Sequence, residues 1–170
     1  MIGDVTLRIA QLLYFMAPAY VGDMAPPFVK YWRGWNRPIC ERWLGSHKTV
    51  AGFALGVMAA VLVTFVQFRI GWRGGLTTYD DWLLLGLRFG IGAMAGDSAK
   101  SFFKRRIGIP PGHPWIPADQ LDYVVGALAL VWTRARLSAL DVLLIAALSF
   151  AGHFLVTRVG YRLGVRDTKM

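Results

Sequence analysis

The sequence predicts an all-α membrane protein of about five transmembrane helices, with two cytoplasmic polar loops forming its site. Three observations carry that expectation. Of the 170 residues, 55 % are hydrophobic and the mean hydropathy is +0.44. A soluble domain cannot hide that much apolar surface, because exposed patches beyond ~400 Å² invite association. The apolar residues fall into five stretches of helical length. Finally, the chain carries a net charge of +9 that is concentrated between those stretches, as expected where Lys and Arg mark cytoplasmic helix ends and attract anions.

A spanning helix needs ~20 largely apolar residues. Residues 5–21 form the first stretch, interrupted by Arg8 and Pro18, so a helix over about 5–26 with a kink near one end is expected. Residues 49–68 are free of charge and predict a helix over 49–69. Residues 82–95 are apolar except for Arg88 and reach spanning length only by continuing through Asp97 and Lys100, giving 81–103. Residues 121–132 are short and hold Asp122 near their start, giving 119–134. Residues 140–156, with Asp141 and His153, close the set as 138–160. Residues 1–170 are expected to form a single integral membrane domain. No cleavable signal peptide is expected, since the first stretch lacks a basic leader and runs into Pro18. Cys40 is the single cysteine, which excludes an intramolecular disulfide.

Loop charge sets the orientation. Residues 28–48 hold five basic side chains (Lys30, Arg33, Arg37, Arg42, Lys48), and residues 69–81 hold two (Arg69, Arg73). Residues 100–117 hold four (Lys100, Lys104, Arg105, Arg106), residues 133–139 two (Arg134, Arg136), and the tail four (Arg158, Arg162, Arg166, Lys169). That alternation predicts a multi-pass protein of the cell membrane with its N-terminus outside, its C-terminus in the cytoplasm and its polar site on the cytoplasmic side. Trp32, Trp35, Trp43, Trp72, Trp82, Trp115 and Trp132 sit near helix ends, where interfacial anchors belong. Gly52 and Gly56, Gly86 and Gly90, and Gly92 and Gly96 are small-xxx-small pairs that suit close helix packing or a slot for a lipid chain.

The chemistry is concentrated in residues 96–123, GDSAKSFFKRRIGIPPGHPWIPADQLDY. Asp97, Lys100, Ser101 and Lys104 fall at i, i+3, i+4 and i+7, one face of a helix. Arg105 and Arg106 make that end strongly positive, and a Gly/Pro-rich turn over 108–117 follows. Asp119 and Asp122 then share a face at the head of the next helix. Ionisable groups at this depth are costly and usually functional. Converging carboxylates suit a hard cation such as Mg²⁺, and Lys and Arg suit the phosphate oxygens the metal leaves uncompensated. Metal with a cation clamp is what phosphoryl or nucleotidyl transfer requires. The alternative stays open at this point: the same Asp and Lys residues can simply neutralise one another at the interface.

A second polar stretch, residues 36–52, lies on the same expected side. Gly45, Ser46, Lys48 and Thr49 sit where the uncharged helix begins, offering N–H groups and a cation to an anion, or serving as an ordinary cap. The likeness to a P-loop is superficial, because the upstream Gly is missing. His47, His113 and His153 have no zinc-ligand spacing, and no G-x-S-x-G pattern supports serine hydrolysis.

The 96–123 run closely resembles the core motif of the CDP-archaeol synthases, the archaeal branch of the CTP-dependent phosphatidate cytidylyltransferases. Residues 36–52 are similar to that family's shorter Gly-x-x-Lys-Thr motif at the head of a membrane helix. Ser101, Lys104 and Arg105 match a Ser-x-x-Lys-Arg stretch of the bacterial relatives, whereas Gln120 stands where those relatives have Arg. The resemblance implies transfer from CTP to an isoprenoid ether-lipid phosphate, 2,3-di-O-geranylgeranylglycerol 1-phosphate, with Mg²⁺ as cofactor, membrane lipids as surroundings and no nucleic-acid partner. On that basis Asp97, Asp119 and Asp122 are expected to hold metal, and Lys100, Lys104 and Arg106 to clamp phosphate oxygens. Asn36, Gly45, Ser46, Lys48, Thr49, Ser101 and Gln120 are expected to seat the nucleotide. The competing expectations are another membrane-embedded phosphotransferase, or a non-enzymatic small transporter or structural protein.

Overall fold

Each of the five apolar stretches forms a helix, and two short turns and a four-residue helix join them. The computed structural model describes residues 2–31, 36–110 and 113–162. Trp32, Arg33, Trp35, Pro111, Gly112, Arg166 and Lys169, weighed above, lie outside the described residues, as does the Lys30 side chain. In chain order the helices are α1 (Ile2–Met24), α2 (Glu41–Leu44), α3 (Val50–Ile70), α4 (Trp82–Arg106), α5 (Ala118–Val131) and α6 (Ala139–Arg162). Turns of 3-10 helix at Pro26–Tyr31 and Trp132–Arg134 complete the set. No strand occurs among the described residues, where one isolated bridge pairs Pro38 with Thr49.

Local chemistry sets the boundaries. α1 continues through a buried Pro18 and stops ahead of Pro26 and Pro27. The Thr49 Oγ1 accepts from the Gly52 amide at 3.1 Å and caps α3, which ends where Gly71 enters the left-handed region at φ 61°. α4 carries its cationic turn Lys104–Arg106 at the C-terminus, where the helix dipole favours positive charge. It closes in a Schellman arrangement: the Gly108 amide (φ 77°) donates to the Arg105 carbonyl, and the Ile109 amide donates to the Lys104 carbonyl at 2.9 Å. At the head of α6, Ser138 and Asp141 form a reciprocal capping box, with the Ser138 amide on Asp141 Oδ2 at 2.8 Å and the Asp141 amide on Ser138 Oγ at 3.2 Å.

The bundle is apolar outside and small or polar within. On α3 the buried positions are Ala51, Gly52, Gly56, Ala60, Thr64 and Gln67. Its outward positions include Met58, 65 % exposed, and Leu62, 62 % exposed. A water-soluble helix has the opposite arrangement; a lipid-facing one buries small residues to let backbones approach. α3 is, among the described helices, the one long and apolar enough by itself to cross a membrane, and residues 139–155 of α6 form a shorter apolar segment. α5, at 14 residues, falls short of the ~20 a span needs.

α4 is the central helix, packed against α1, α3 and α5. Glycines permit its close approaches. A Cβ at Gly86 would lie 2.7 Å from the Val61 Cα of α3, and one at Gly96 would lie 2.2 Å from the Asp122 carbonyl of α5. Gly126 answers from α5, where a Cβ would lie 2.1 Å from the Gly92 carbonyl. Small-xxx-small spacing on α4 therefore serves backbone contact, and the α4–α5 crossing sets Asp97 beside Asp122. Leu12, Phe15, Met16, Leu85, Phe89 and Ile145 fill the core, with the Phe15 and Phe89 rings edge to face at 5.2 Å. At the end of the bundle away from the site, Arg8 grips the buried Asp141 through two hydrogen bonds of 2.7 and 2.6 Å, tying α1 to α6.

Candidate active site

Five helices bring polar side chains to one end of the bundle, around a cavity of about 750 Å³. α4 supplies the central face. Asp97, Lys100, Ser101 and Lys104 all line the cavity, as their i, i+3, i+4, i+7 spacing requires. Ser101 is buried and donates to the Asp97 carbonyl at 3.0 Å, which keeps its hydroxyl on the helix.

Lys100 is the hub of the cluster. Its Nζ lies 3.0 Å from Asp97 Oδ1, 3.1 Å from Asp119 Oδ1 and 2.7 Å from Asp122 Oδ2. Lys104 sits 3.1 Å from both oxygens of Asp119 and also donates to the His113 carbonyl. The Trp115 amide donates to Asp119 Oδ2 at 2.5 Å, so the Pro-rich turn holds that carboxylate from the other side. Asp122 is almost entirely buried, its Oδ1 taking the Tyr123 amide at 2.7 Å.

Lys48 reaches Asp97 from a separate segment. The Ile39 amide donates to the Lys48 carbonyl at 2.8 Å and the Val50 amide to the Arg37 carbonyl at 3.0 Å, closing residues 37–50 into a tied loop. Its ammonium pairs with Asp97 Oδ2. The α3 N-terminus is less open to an anion than its sequence suggests, because Thr49 Oγ1 occupies the Gly52 amide and the Arg37 carbonyl occupies the Val50 amide. Attraction for an anion at this turn therefore comes chiefly from the Lys48 charge. Gly45, a buried C-cap at φ 87°, and exposed Ser46 and Asn36 form the rim of the same cavity.

Of the thirteen residues expected at the site, Asn36, Gly45, Ser46, Lys48, Thr49, Asp97, Lys100, Ser101, Lys104, Asp119 and Gln120 line the cavity, and Asp122 contacts it through Lys100. Arg106 does not. It is exposed, with its guanidinium 4.9 Å from the Phe102 ring centroid, while its neighbour Arg105 lines the cavity and donates to the Ile109 carbonyl. A helix turns ~100° per residue, and the step from Arg105 to Arg106 carries the side chain off the cavity side of α4 that Lys104 and Arg105 share. Sequence reasoning missed Asp23 at the end of α1. It lines the cavity within the electrostatic field of Asp97, Asp122, Lys100 and Lys48. Its signal was present: an acidic residue ending an apolar stretch, just ahead of two prolines.

Gln120 adds an unmet demand. The residue is 4 % exposed and its Oε1 has no hydrogen-bond partner among the described residues, although it stands on the cavity wall. A buried acceptor left unpaired costs ~1–3 kcal/mol, which a ligand donor recovers. Mutual neutralisation of Asp and Lys pairs the charges but leaves that oxygen without a partner.

The donor set suits Mg²⁺ in hardness, being carboxylate oxygen throughout. No three His, Cys, Asp or Glu residues among those described form a ready-made cage. The expected trio Asp97, Asp119 and Asp122 is therefore not a preformed cage, and Mg²⁺ here would need phosphate oxygens of a substrate to complete its shell.

Comparison with known proteins identifies the family. A family model described as CarS-like, CDP-archaeol synthase, matches residues 5–170. A CDP-archaeol synthase of Methanospirillum hungatei is 37 % identical over 133 residues, covering 74 % of this chain and 80 % of the relative. That of Methanopyrus kandleri is 34 % identical over 172 residues, covering 95 % and 93 %. A solved structure, described as an intramembrane enzyme for archaeal membrane lipid biosynthesis, superposes with a TM-score of 0.74 at 26 % identity, covering 87 % of this chain and 93 % of its own. The apolar exterior and the polar cavity at one end are thus those of a membrane enzyme, and the chain belongs to the CDP-archaeol synthase family.

Proposed function

We propose that this protein joins CTP to 2,3-di-O-geranylgeranylglycerol 1-phosphate, releasing pyrophosphate and forming unsaturated CDP-archaeol. The observation that carries the reading is the convergence of Lys48, Asp97, Lys100, Lys104, Asp119 and Asp122 on one cavity at one end of an apolar bundle. An oxygen of the lipid phosphate attacks the α-phosphorus of CTP, and the bond from that phosphorus to the bridging oxygen of the β-phosphate breaks. The attacking phosphate is already ionised at neutral pH, so no general base is required. What the reaction needs is relief of repulsion between two polyanions and their alignment.

The chain's own residues supply both. Lys48, Lys100 and Lys104 offer ammonium groups to phosphate oxygens, and Arg105, not Arg106, is placed to add a guanidinium. Asp97, Asp119 and Asp122 would hold Mg²⁺ together with the triphosphate, and the ion would neutralise charge on the departing pyrophosphate. Ser101 and Gln120 present hydrogen-bonding groups at the nucleotide wall, and Asn36, Gly45, Ser46 and Thr49 form its rim. The isoprenoid chains stay in the bilayer, and the head group enters past the apolar lining at Pro26, Phe53 and Phe154. We place α1, α3, α4, the shorter α5 and α6 as five membrane passages, N-terminus outside, with the cavity open to the cytoplasm, where CTP is available.

The test is direct. Purified protein with labelled CTP, Mg²⁺ and the lipid phosphate is expected to release pyrophosphate in proportion to lipid added. Pyrophosphate release that is independent of lipid, or none at all, overturns the reading.

A further inference from the structure

The Lys100 ammonium stands where a bound cation would stand. Its three close oxygens, at 3.0, 3.1 and 2.7 Å, belong to three different carboxylates on two helices, and the side chains involved are all at least four-fifths buried. A lysine that merely awaited a phosphate would point into open space; this one is enclosed by negative charge. Lys100 thereby occupies the region from which Asp97, Asp119 and Asp122 would have to reach a divalent ion. The unpartnered Oε1 of Gln120, on the same wall beside Asp119, indicates that the cavity is completed by an incoming ligand and not by the protein alone.

We propose that Lys100 is a built-in counter-ion that excludes free divalent cations from the carboxylate cluster until a nucleotide arrives. The energetics favour a hand-over. Three buried carboxylates cannot remain near one another without compensation, so a cation must be present in every state. Lys48 also pairs with Asp97 and Lys104 with Asp119, but among the described residues Lys100 is the one cation shared by all three carboxylates. Without substrate, its ammonium fills the space between them at high effective concentration, and a free hydrated Mg²⁺ gains little by displacing it. A metal–triphosphate complex changes the balance. It brings the divalent charge to the carboxylates and, in its phosphate oxygens, offers the displaced ammonium a new partner. Lys100 then turns from the carboxylates to the substrate by side-chain rotation alone. Metal and nucleotide consequently bind as one unit, and hydrolysis or mispositioning by metal alone is avoided. This inference rests on the cytidylyltransferase reading of the cavity, but its test uses neither lipid nor turnover.

The experiment measures Mn²⁺ binding to purified full-length protein in detergent by the loss of the free Mn²⁺ electron-spin signal, without nucleotide. Wild type is expected to bind weakly, and Lys100→Met at least tenfold more tightly, with Asp119→Asn added to Lys100→Met removing the gain. As a second readout, Mn²⁺ alone should raise the thermal midpoint of Lys100→Met and leave that of wild type unmoved. Lys100→Gln, which keeps a polar side chain, should behave as Lys100→Met and serves if the latter does not fold. Tight Mn²⁺ binding by wild type without nucleotide, or equal affinity in wild type and variants, overturns the proposal. Failure of the cytidylyltransferase reading would appear separately, as lipid-independent or absent pyrophosphate release by wild type.

Discussion

Asp119 and Asp122 occupy adjacent positions on one helix face but meet different surroundings. Asp119 is shared between Lys100, Lys104 and the Trp115 amide, whereas Asp122 is deeper and touches Lys100. Replacing either by Asn keeps shape and removes charge, so each variant is expected to lower Mg²⁺-dependent turnover on the order of 100-fold or more. Near-normal turnover in both would show that neither carboxylate serves the metal. Lys48 lies across the cavity on its own tied loop and pairs with Asp97. Its replacement by Ala removes one charge-assisted contact, worth ~1.5–3 kcal/mol, and should raise the Michaelis constant for CTP about tenfold or more with less effect on that for lipid. The reverse pattern, measured by steady-state kinetics with each substrate varied, would move Lys48 to the lipid side. Arg105 and Arg106 show what spacing can and cannot tell: two adjacent cations are plain in the sequence, but the one facing the cavity is chosen by the phase of α4.

At the scale of elements, the site depends on how closely α4 and α5 cross. Asp97 and Asp122 share Lys100 because Gly92, Gly96 and Gly126 let the two backbones touch. Gly126→Ala would place a Cβ 2.1 Å from the Gly92 carbonyl, and backbone cannot yield as a side chain end would. The expected cost is about 1–3 kcal/mol of stability, together with a smaller thermal shift on adding CTP and Mg²⁺, read by thermal denaturation. An unchanged midpoint and shift would show that the crossing tolerates separation. α5 illustrates a limit of hydropathy. Its expected passage over 119–134 is a helix from Ala118, just after Pro117, to Val131, followed by a 3-10 turn to Arg134.

For the whole molecule, the inverted distribution of polarity governs both placement and activity. Large apolar side chains such as Leu62, Val125 and Leu143 face outward, while Gln67, Ser149 and Asp141 are buried. That pattern is stable only if the surroundings are apolar. All of the cavity's charged side chains gather at one end, which gives the topology a sharp consequence. In a Cys40→Ser background, Asn36→Cys and Ile107→Cys should react with a membrane-impermeant thiol reagent from the cytoplasmic side alone. Arg73→Cys should react from the other. Labelling of the first two from opposite faces would refute the five-passage arrangement.

The sequence by itself determined the helical make-up of the fold and, through its resemblance to the CDP-archaeol synthases, the family. Five apolar stretches announced five helices, of which α5 alone came out short, because hydropathy and helical periodicity are local properties. Asp97, Lys100, Ser101 and Lys104 announced one face, because helical periodicity is local too. The tertiary structure decided what depends on contacts distant in sequence. It brought Asp23 and Lys48 to Asp97, turned Arg106 away in favour of Arg105, spent two amides of the α3 N-terminus on Thr49 and Arg37, and enclosed Lys100 among three carboxylates. Residues predicted as a polar stretch thereby became a cavity with a defined order of charges. The physical reason is that helix phase and crossing distance, set by glycine contacts between α4 and its neighbours, fix which charges meet.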